Sequence, residues 1–459
     1  MTPSDLVGMT ARELLQLLHH REVSARELLD AHVERMERVN PAINAVVTAD
    51  VDRARVTARV LDQQLARGRP VGPLHGLPMT VKDTFETAGL RTVAGATLLR
   101  DHVPTHDAVA VARLKDAGAV VFGKTNTPAL AGDWQTSNEV FGTTNNPWDT
   151  SRTAGGSSGG SAAALAAGIT PLELGSDIGG SIRMPASMCG VCGHKPTFGI
   201  VPQRGHIPGP PGSLSHPDLG VAGPMARSVP DLLLALDVIA GPIAPQDRGW
   251  RLELPDAPKH GLRAWRLASL IDDAKLPVDA EVRATLGTVV ERLASEGCRI
   301  ERNPRPPVDH DELAELYATL LLPVVGEDRE LTHVKWLAAN ERRLQMQEQV
   351  AGFFERYDAV VMPAFPTVAF PHDLRPPEQR TITVDGVTLP YASTALAWAG
   401  LATTLHLPAT VVPVATLKQQ GAQLPVGLQI VGPYLGDRTT LTIAADIERV
   451  VGRFPPPTS

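Results

Sequence analysis

The sequence predicts an α/β fold, because short apolar runs of strand length alternate with amphipathic helical stretches along most of the chain. Composition agrees. Hydrophobic residues make up 43% of the 459 and charged residues 20%, the balance of a soluble globular protein. Aromatics are only 4%, so the core must rest on Ala, Val, Leu and Ile. The length exceeds that at which a single core usually stops growing, although large α/β enzymes often remain one unit.

The elements follow in order. Residues 1–68 read as a helical segment packed on the core. Thr10 and Glu13 make a capping-box pattern before Leu14, Leu15, Leu17 and Leu18, and Ser24 and Glu27 repeat it before Leu28, Leu29, Val33 and Met36. Residues 69–455 read as the main body of the fold. Within it, Leu77–Val81 and Ala119–Phe122 read as buried strands around a helix at Asp107–Ala117. Residues 142–160, rich in Gly, Ser, Thr and Asn, read as loop, and Ser161–Ala167 as an Ala-rich helix. Leu172–Leu174 reads as a short strand. Helices are expected at 229–240 and 278–297, with a surface connection at 245–260. Ala359–Met362 and Val426–Ile430 read as late buried strands, and the tail FPPPTS as loose.

Several function classes are excluded. The net charge is −7 with no basic block, so a nucleic-acid partner has no electrostatic footprint. No apolar run is long enough to span a membrane, and MTPSDLVGMT lacks the basic start and apolar run of a signal peptide. Three cysteines, Cys189, Cys192 and Cys298, make no disulfide framework. A cytoplasmic enzyme is expected.

Three familiar patterns match and are rejected. Residues 118–125, GAVVFGKT, fit the P-loop spacing, but Ala119–Phe122 want to be strand and Pro128 follows too soon for the required helix. G-x-S-x-G fits on both Ser157 and Ser158, yet a nucleophile elbow needs a strand running into the turn, and Asn145–Thr153 holds Pro147 and turn formers instead. Cys189-x-x-Cys192 has neither a second pair nor a redox context, so it reads as two buried structural thiols.

Three other segments carry chemistry. Thr153–Gly168 is TAGGSSGGSAAALAAG, which reads either as a Gly-Ser loop feeding an Ala helix or as part of a site. In Asp177-Ile178-Gly179-Gly180-Ser181, two glycines precede a serine and let consecutive N–H groups turn toward one point, the geometry of an oxyanion hole. In Gly72–Asp83, Lys82 ends a largely apolar run. It is either a strand-end lysine that snorkels to water or a desolvated lysine whose lowered pKa suits a general base. Only 8 of the 43 basic residues are lysine, so this one stands out.

In this order and spacing the three segments resemble the amidase signature family, and the likeness extends to Gly123-Lys124-Thr125-Asn126, Gly223-Pro224-Met225 and Leu424–Gln429. The resemblance implies one large domain, a mixed twisted sheet flanked by helices on both faces. It implies Ser181 as nucleophile, Ser157 as the proton relay after a cis Gly156–Ser157 peptide, and Lys82 as base. The N–H groups of Ile178, Gly179, Gly180 and Ser181 form the implied oxyanion hole, supported from behind by Ser158, Asp177 and Arg183. A plain surface charge is the competing reading of Arg183. His75 and His194 read as structural, and neither cofactor nor metal is expected.

The chain departs from the family pattern after Pro128, where many relatives carry an acidic residue and this one has Ala129, Leu130, Ala131 and Gly132. Met184 likewise offers no charge to a substrate carboxylate. These five residues are the expected substrate pocket. The expected activity is hydrolysis of apolar or aryl amides, with carbamates (urethane cleavage) as an extension, by a monomer or homodimer acting on a small molecule. The alternatives are the glutamine-hydrolysing subunit of a tRNA-dependent amidotransferase and a non-catalytic binding protein.

Overall fold

The computed structural model describes residues 2–257, 261–326 and 330–457. An eleven-stranded mixed sheet runs through the molecule. Its strands in chain order are Val46–Ala49 (β1), Pro78–Lys82 (β2), Val120–Thr125 (β3), Leu172–Asp177 (β4), Cys192–Lys195 (β5), Val221–Ala226 (β6), Arg266–Ser269 (β7), Arg299–Arg302 (β8), Ala359–Pro363 (β9), Ala409–Gln419 (β10) and Ala422–Val431 (β11). The spatial order is β1-β3-β2-β4-β6-β5-β10-β11-β9-β7-β8. Parallel pairing joins β2 to β3 and β4, and β7 to β8 and β9, while antiparallel pairs make up the middle. Helices cover both faces, so β2, β4 and β6 are buried along their whole length.

Both capping boxes form. Thr10 N–H donates to Glu13 Oε2 at 2.7 Å, and Ser24 N–H to Glu27 Oε2 at 2.9 Å. Leu14, Leu18, Leu28 and Leu29 then enter one core that also holds Leu286, Val360 and Ile447. The first 68 residues are not wholly helical, however. After helix Ala25–Ile43 ends on left-handed Asn44, Val46–Ala49 pairs antiparallel with β3 and completes the sheet edge. Short β-branched runs such as Val46-Val47-Thr48 favour this pairing.

Other expectations shift in detail. Residues 142–160 are not all loop: Gly142–Thr143 pairs with Ser137–Asn138, and Asn145–Asn146 with Asp149–Thr153, in two small ladders. The Ala-rich helix starts at Gly159 and the strand before the Asp177 turn runs on to that residue. The 245–260 connection holds one 3-10 turn at Gln246–Arg248, and residues 258–260 lie outside the described residues. The tail is not wholly loose, since the Phe454 ring sits 5.6 Å from that of Trp148, while residues 458–459 lie outside the described residues. Among the described residues no helix is long and apolar enough to cross a membrane.

Candidate active site

Strand β2 ends on Lys82, whose side chain is fully buried. Its Nζ lies 2.7 Å from Ser157 Oγ and 2.9 Å from Ser176 Oγ. The snorkelling reading of Lys82 is therefore wrong: strands on both sides and helix Gly159–Ala166 seal it from water. That helix is built from GGSAAALA, small enough to be buried on every side, and it fixes Ser157 and Ser158 immediately before its first turn. The Gly156–Ser157 peptide is cis. Position 156 admits no side chain, because a Cβ there would sit 2.7 Å from the Asp133 carbonyl oxygen.

Burial lowers the Lys82 pKa to about 7, opposed by the charges of Asp177 and Glu173. The amine is thus close to half neutral near pH 7. Glu173, on β4 opposite Thr80, accepts a hydrogen bond from the Thr80 hydroxyl, yet burial raises its pKa to about 8.

The strand-to-helix turn after β4 is organised by one ion pair. Arg183 Nη2 lies 2.8 Å from Asp177 Oδ1, and its Nε lies 3.0 Å from Oδ2. Further Arg183 donors reach Gln429 Oε1 at 2.8 Å and Thr403 Oγ1 at 2.8 Å. Arg183 is buried, which rules out the surface-charge reading. Burial pushes the Asp177 carboxyl up, but Arg183 and the backbone donors outweigh it and hold the pKa at about 2. The same carboxylate accepts the N–H groups of Gly180 at 3.0 Å and Ile182 at 3.0 Å. Gly180 stands at φ +93°, a conformation that glycine adopts without steric cost.

This corrects the expected set of four open amides. The Gly180 N–H is already donated to Asp177, so the amides of Ile178, Gly179 and Ser181 are those left without a protein acceptor among the described residues. Ser158 N–H donates to the Ser181 carbonyl at 3.1 Å, and the Ser158 hydroxyl to the Ser176 carbonyl at 3.2 Å. Among the described residues no hydrogen bond joins the Ser157 and Ser181 hydroxyls. Such contacts commonly tighten only when substrate binds.

A cavity of about 690 Å³ adjoins this turn. Leu270, Leu313, Met362, Trp398 and Leu401 line it, together with Tyr317 and Leu396. The last two connect it to the site: Tyr317 Oη donates to the Ile178 carbonyl at 2.7 Å, and Leu396 lies 3.2 Å from where a Cβ on Gly179 would stand. None of the five expected pocket residues lines this cavity. Ala129–Ala131 form a surface turn with Leu130 and Ala131 at positive φ, Leu130 is 45% exposed, and Gly132 follows it exposed. Met184 is buried in an apolar cluster with Met188, Phe365 and Tyr391. Apolar character was right for these positions, but their direction was set by turn geometry and helix packing.

The P-loop and Cys-x-x-Cys matches stay rejected, whereas Asp149–Thr153, expected as turn formers ahead of the G-x-S-x-G match, is a strand paired with Asn145–Asn146. Residues 120–125 are strand, and Lys124 points its amine at Thr87 Oγ1, 3.0 Å away. Cys189 and Cys192 are free and buried, and burial raises both thiol pKa values. His194 bridges Thr410 and Asp437 inside the core, and His75 accepts the Val71 N–H. Sequence reasoning missed Ser176, Glu173, Trp134 and Tyr317. Ser176 directly precedes the Asp177 turn, and Glu173 is a charge inside an apolar strand, so both left a trace. Trp134 and Tyr317 left none.

A buried lysine on a serine hydroxyl, beside a glycine turn with open amides, is an arrangement suited to serine–lysine hydrolysis. The family model described as Amidase matches residues 27–325 and 325–441. One subunit of the glutamyl-tRNA(Gln) amidotransferase of Acidothermus cellulolyticus is 33% identical over 97% of this chain and 95% of its own. Among solved structures, a chain of the vestigial protein complex that reveals the evolutionary origins of an s-triazine catabolic enzyme superposes with a TM-score of 0.83 at 29% identity, covering 98% of this chain and all of that one. A 6-aminohexanoate cyclic dimer hydrolase gives 0.79 at 26% identity, covering 97% and 98%. The chain belongs to the amidase signature family, whose chemistry is hydrolysis of amide C–N bonds.

Proposed function

We propose that the protein hydrolyses small apolar or aryl amides through an acyl-enzyme on Ser181, with carbamates as an extension. The observation that carries this reading is the sealed Lys82–Ser157 contact of 2.7 Å on an amine whose pKa burial lowers to about 7. Neutral Lys82 takes the Ser157 proton as Ser157 takes that of Ser181. Ser181 Oγ bonds to the carbonyl carbon, and the C=O π pair moves onto oxygen, toward the N–H groups of Ile178, Gly179 and Ser181. When that pair returns, the C–N bond breaks. The departing nitrogen recovers the proton through Ser157. Water then repeats the sequence, and the acid leaves.

The cavity beside the turn, which Ser181, Ser157 and Lys82 do not line, is mostly apolar and suits a neutral, apolar group of a substrate that reaches it past Tyr317 and Leu396. Charges at the cavity rim are already paired, Lys275 with Asp311 at 2.8 Å and Arg305 with Asp273 at 2.9 Å. An apolar lining gains affinity from apolar area and penalises unpaired charge.

The second reading, a glutamine-hydrolysing subunit of a larger amidotransferase, is favoured by the full-length likeness to such subunits. One comparison separates the readings: turnover of an aryl amide, an aryl carbamate and glutamine by the purified chain, beside Ser181→Ala and Lys82→Ala. The aryl amide as best substrate, lost in both variants, supports the first. Glutamine as best substrate, with a second subunit co-purifying, replaces it by the second. Failure of the wild type to react with a fluorophosphonate would leave only a binding protein.

A further inference from the structure

The amides of the Asp177–Ser181 turn can serve an oxyanion only if their peptide planes are held. In a trans peptide the N–H points opposite to the preceding C=O, so whatever anchors the carbonyl aims the amide. The Ile178–Gly179 and Gly179–Gly180 peptides are both trans. Their carbonyls have separate donors from distant parts of the chain. Tyr317 Oη, on helix His310–Val325, donates to the Ile178 carbonyl at 2.7 Å. Trp134 Nε1 donates to the Gly179 carbonyl at 2.8 Å.

Each anchor is itself fixed. The Tyr317 ring is buried, 3.4 Å from where a Cβ on Gly400 would stand. The Trp134 indole meets Tyr391 edge-on at 5.5 Å, and the Tyr391 hydroxyl donates to Asp133 Oδ1 at 2.8 Å. Two glycines in succession have little intrinsic preference for one orientation. Without Tyr317 the Ile178–Gly179 plane could turn, and the Gly179 amide would lose its aim; the next plane keeps a second hold, since Asp177 Oδ1 takes its Gly180 N–H at 3.0 Å.

We infer that Tyr317 is a positioning residue for the oxyanion hole, acting through the Ile178 carbonyl, with Trp134 steadying the neighbouring plane through the Gly179 carbonyl. Tyr317 anchors the plane whose far side carries the Gly179 N–H. Trp134 anchors the next plane, whose amide rests on Asp177 Oδ1 at 3.0 Å. Neither residue exchanges a proton with substrate. The inference rests on the reading of Ser181 as nucleophile.

The test uses Tyr317→Phe and Trp134→Phe, each of which keeps an aromatic ring and removes one donor. Rates are expressed per site labelled by a fluorophosphonate, so that loss of folded protein does not count as loss of rate. Loss of a full oxyanion donor costs about 100-fold or more in kcat, so misaiming one should cost roughly tenfold. The expected result for Tyr317→Phe is that fall in kcat with KM within about twofold. Inhibition by an aryl trifluoromethyl ketone, which becomes an oxyanion when the serine adds, should weaken by the same factor as kcat/KM. Unchanged kcat per labelled site overturns the inference, as does a loss confined to KM or an unchanged inhibition constant. Should Trp134→Phe fail to fold, Tyr317→Phe alone decides. Turnover by Ser181→Ala would instead defeat the proposed function, whereas an inactive Ser181→Ala beside unaffected Tyr317→Phe and Trp134→Phe defeats only this inference.

Discussion

Arg183 grips Asp177 by two contacts, 2.8 and 3.0 Å, at the point where β4 turns into helix Arg183–Cys189. The pair is sealed from water, and Asp177 in turn takes the amides of Gly180 and Ile182. One ion pair therefore sets the conformation of the turn that carries Ser181. It also joins that turn to β11 through Gln429.

Removing one partner of a buried pair leaves a charge without compensation, at a cost of about 3–5 kcal/mol. Arg183→Gln should lose stability of that order in urea unfolding at pH 7, together with activity. Because Arg183 depresses the Asp177 pKa, this contribution is present above the unfolded carboxyl pKa of 3.8 and disappears as pH falls through about 2. The gap between wild type and variant should accordingly close in strong acid. A variant as stable as wild type at pH 7 would contradict the account.

Activity should rise with pH through about 7 and hold on the alkaline side, because Lys82 must be neutral to accept a proton. A pH–rate profile that peaks in acid would defeat this. The same burial costs stability. Between pH 7 and the ordinary lysine value of 10.5 the unfolded chain binds the extra proton, so wild-type stability rises across that window. Lys82→Met should have its greatest advantage in thermal stability near pH 7 and lose it toward pH 10.5. A gap that widens with pH has the wrong sign.

Glu173 should behave in the opposite sense. Burial raises its pKa from 4.5 to about 8, so the folded chain holds a proton that the unfolded chain has released. Stability is lost as pH climbs through that interval. Glu173→Gln should match wild type near pH 4.5 and exceed it increasingly up to pH 8. Parallel curves of stability against pH would show that the carboxyl is ionised in the fold.

Gly180→Ala tests the turn itself. An L-residue at φ +93° carries backbone strain of about 1–2 kcal/mol. The expected outcome is a destabilised protein that labels slowly with a fluorophosphonate. Labelling at the wild-type rate would show that the turn tolerates a side chain.

The catalytic candidates were legible because their signals are local. Lys82 stood out as a rare lysine closing an apolar run, and the glycines before Ser157 and Ser181 announced backbone needed in unusual directions. Composition alone left open which way Ala129–Gly132 faces, because the same residues fit an inward or an outward turn. Positive φ at Leu130 and Ala131 turned it out. The cavity beside the Asp177 turn is lined by segments near 270, 305–318 and 389–401, which lie far from the motifs in sequence.

By itself the sequence determined the α/β class, the two capped N-terminal helices and the identity of the lysine and serines, because each depends on residues a few positions apart. Tertiary structure alone decided three further things. It sealed Lys82 and so moved its pKa, since desolvation is a property of everything packed around the amine. It assigned the Gly180 amide to Asp177 and left three others open, since that depends on how the turn closes on its own carboxylate. And it brought Tyr317 and Trp134 onto adjacent carbonyls of one turn, 139 and 45 residues away along the chain, a meeting that only the packed helices and sheet can impose.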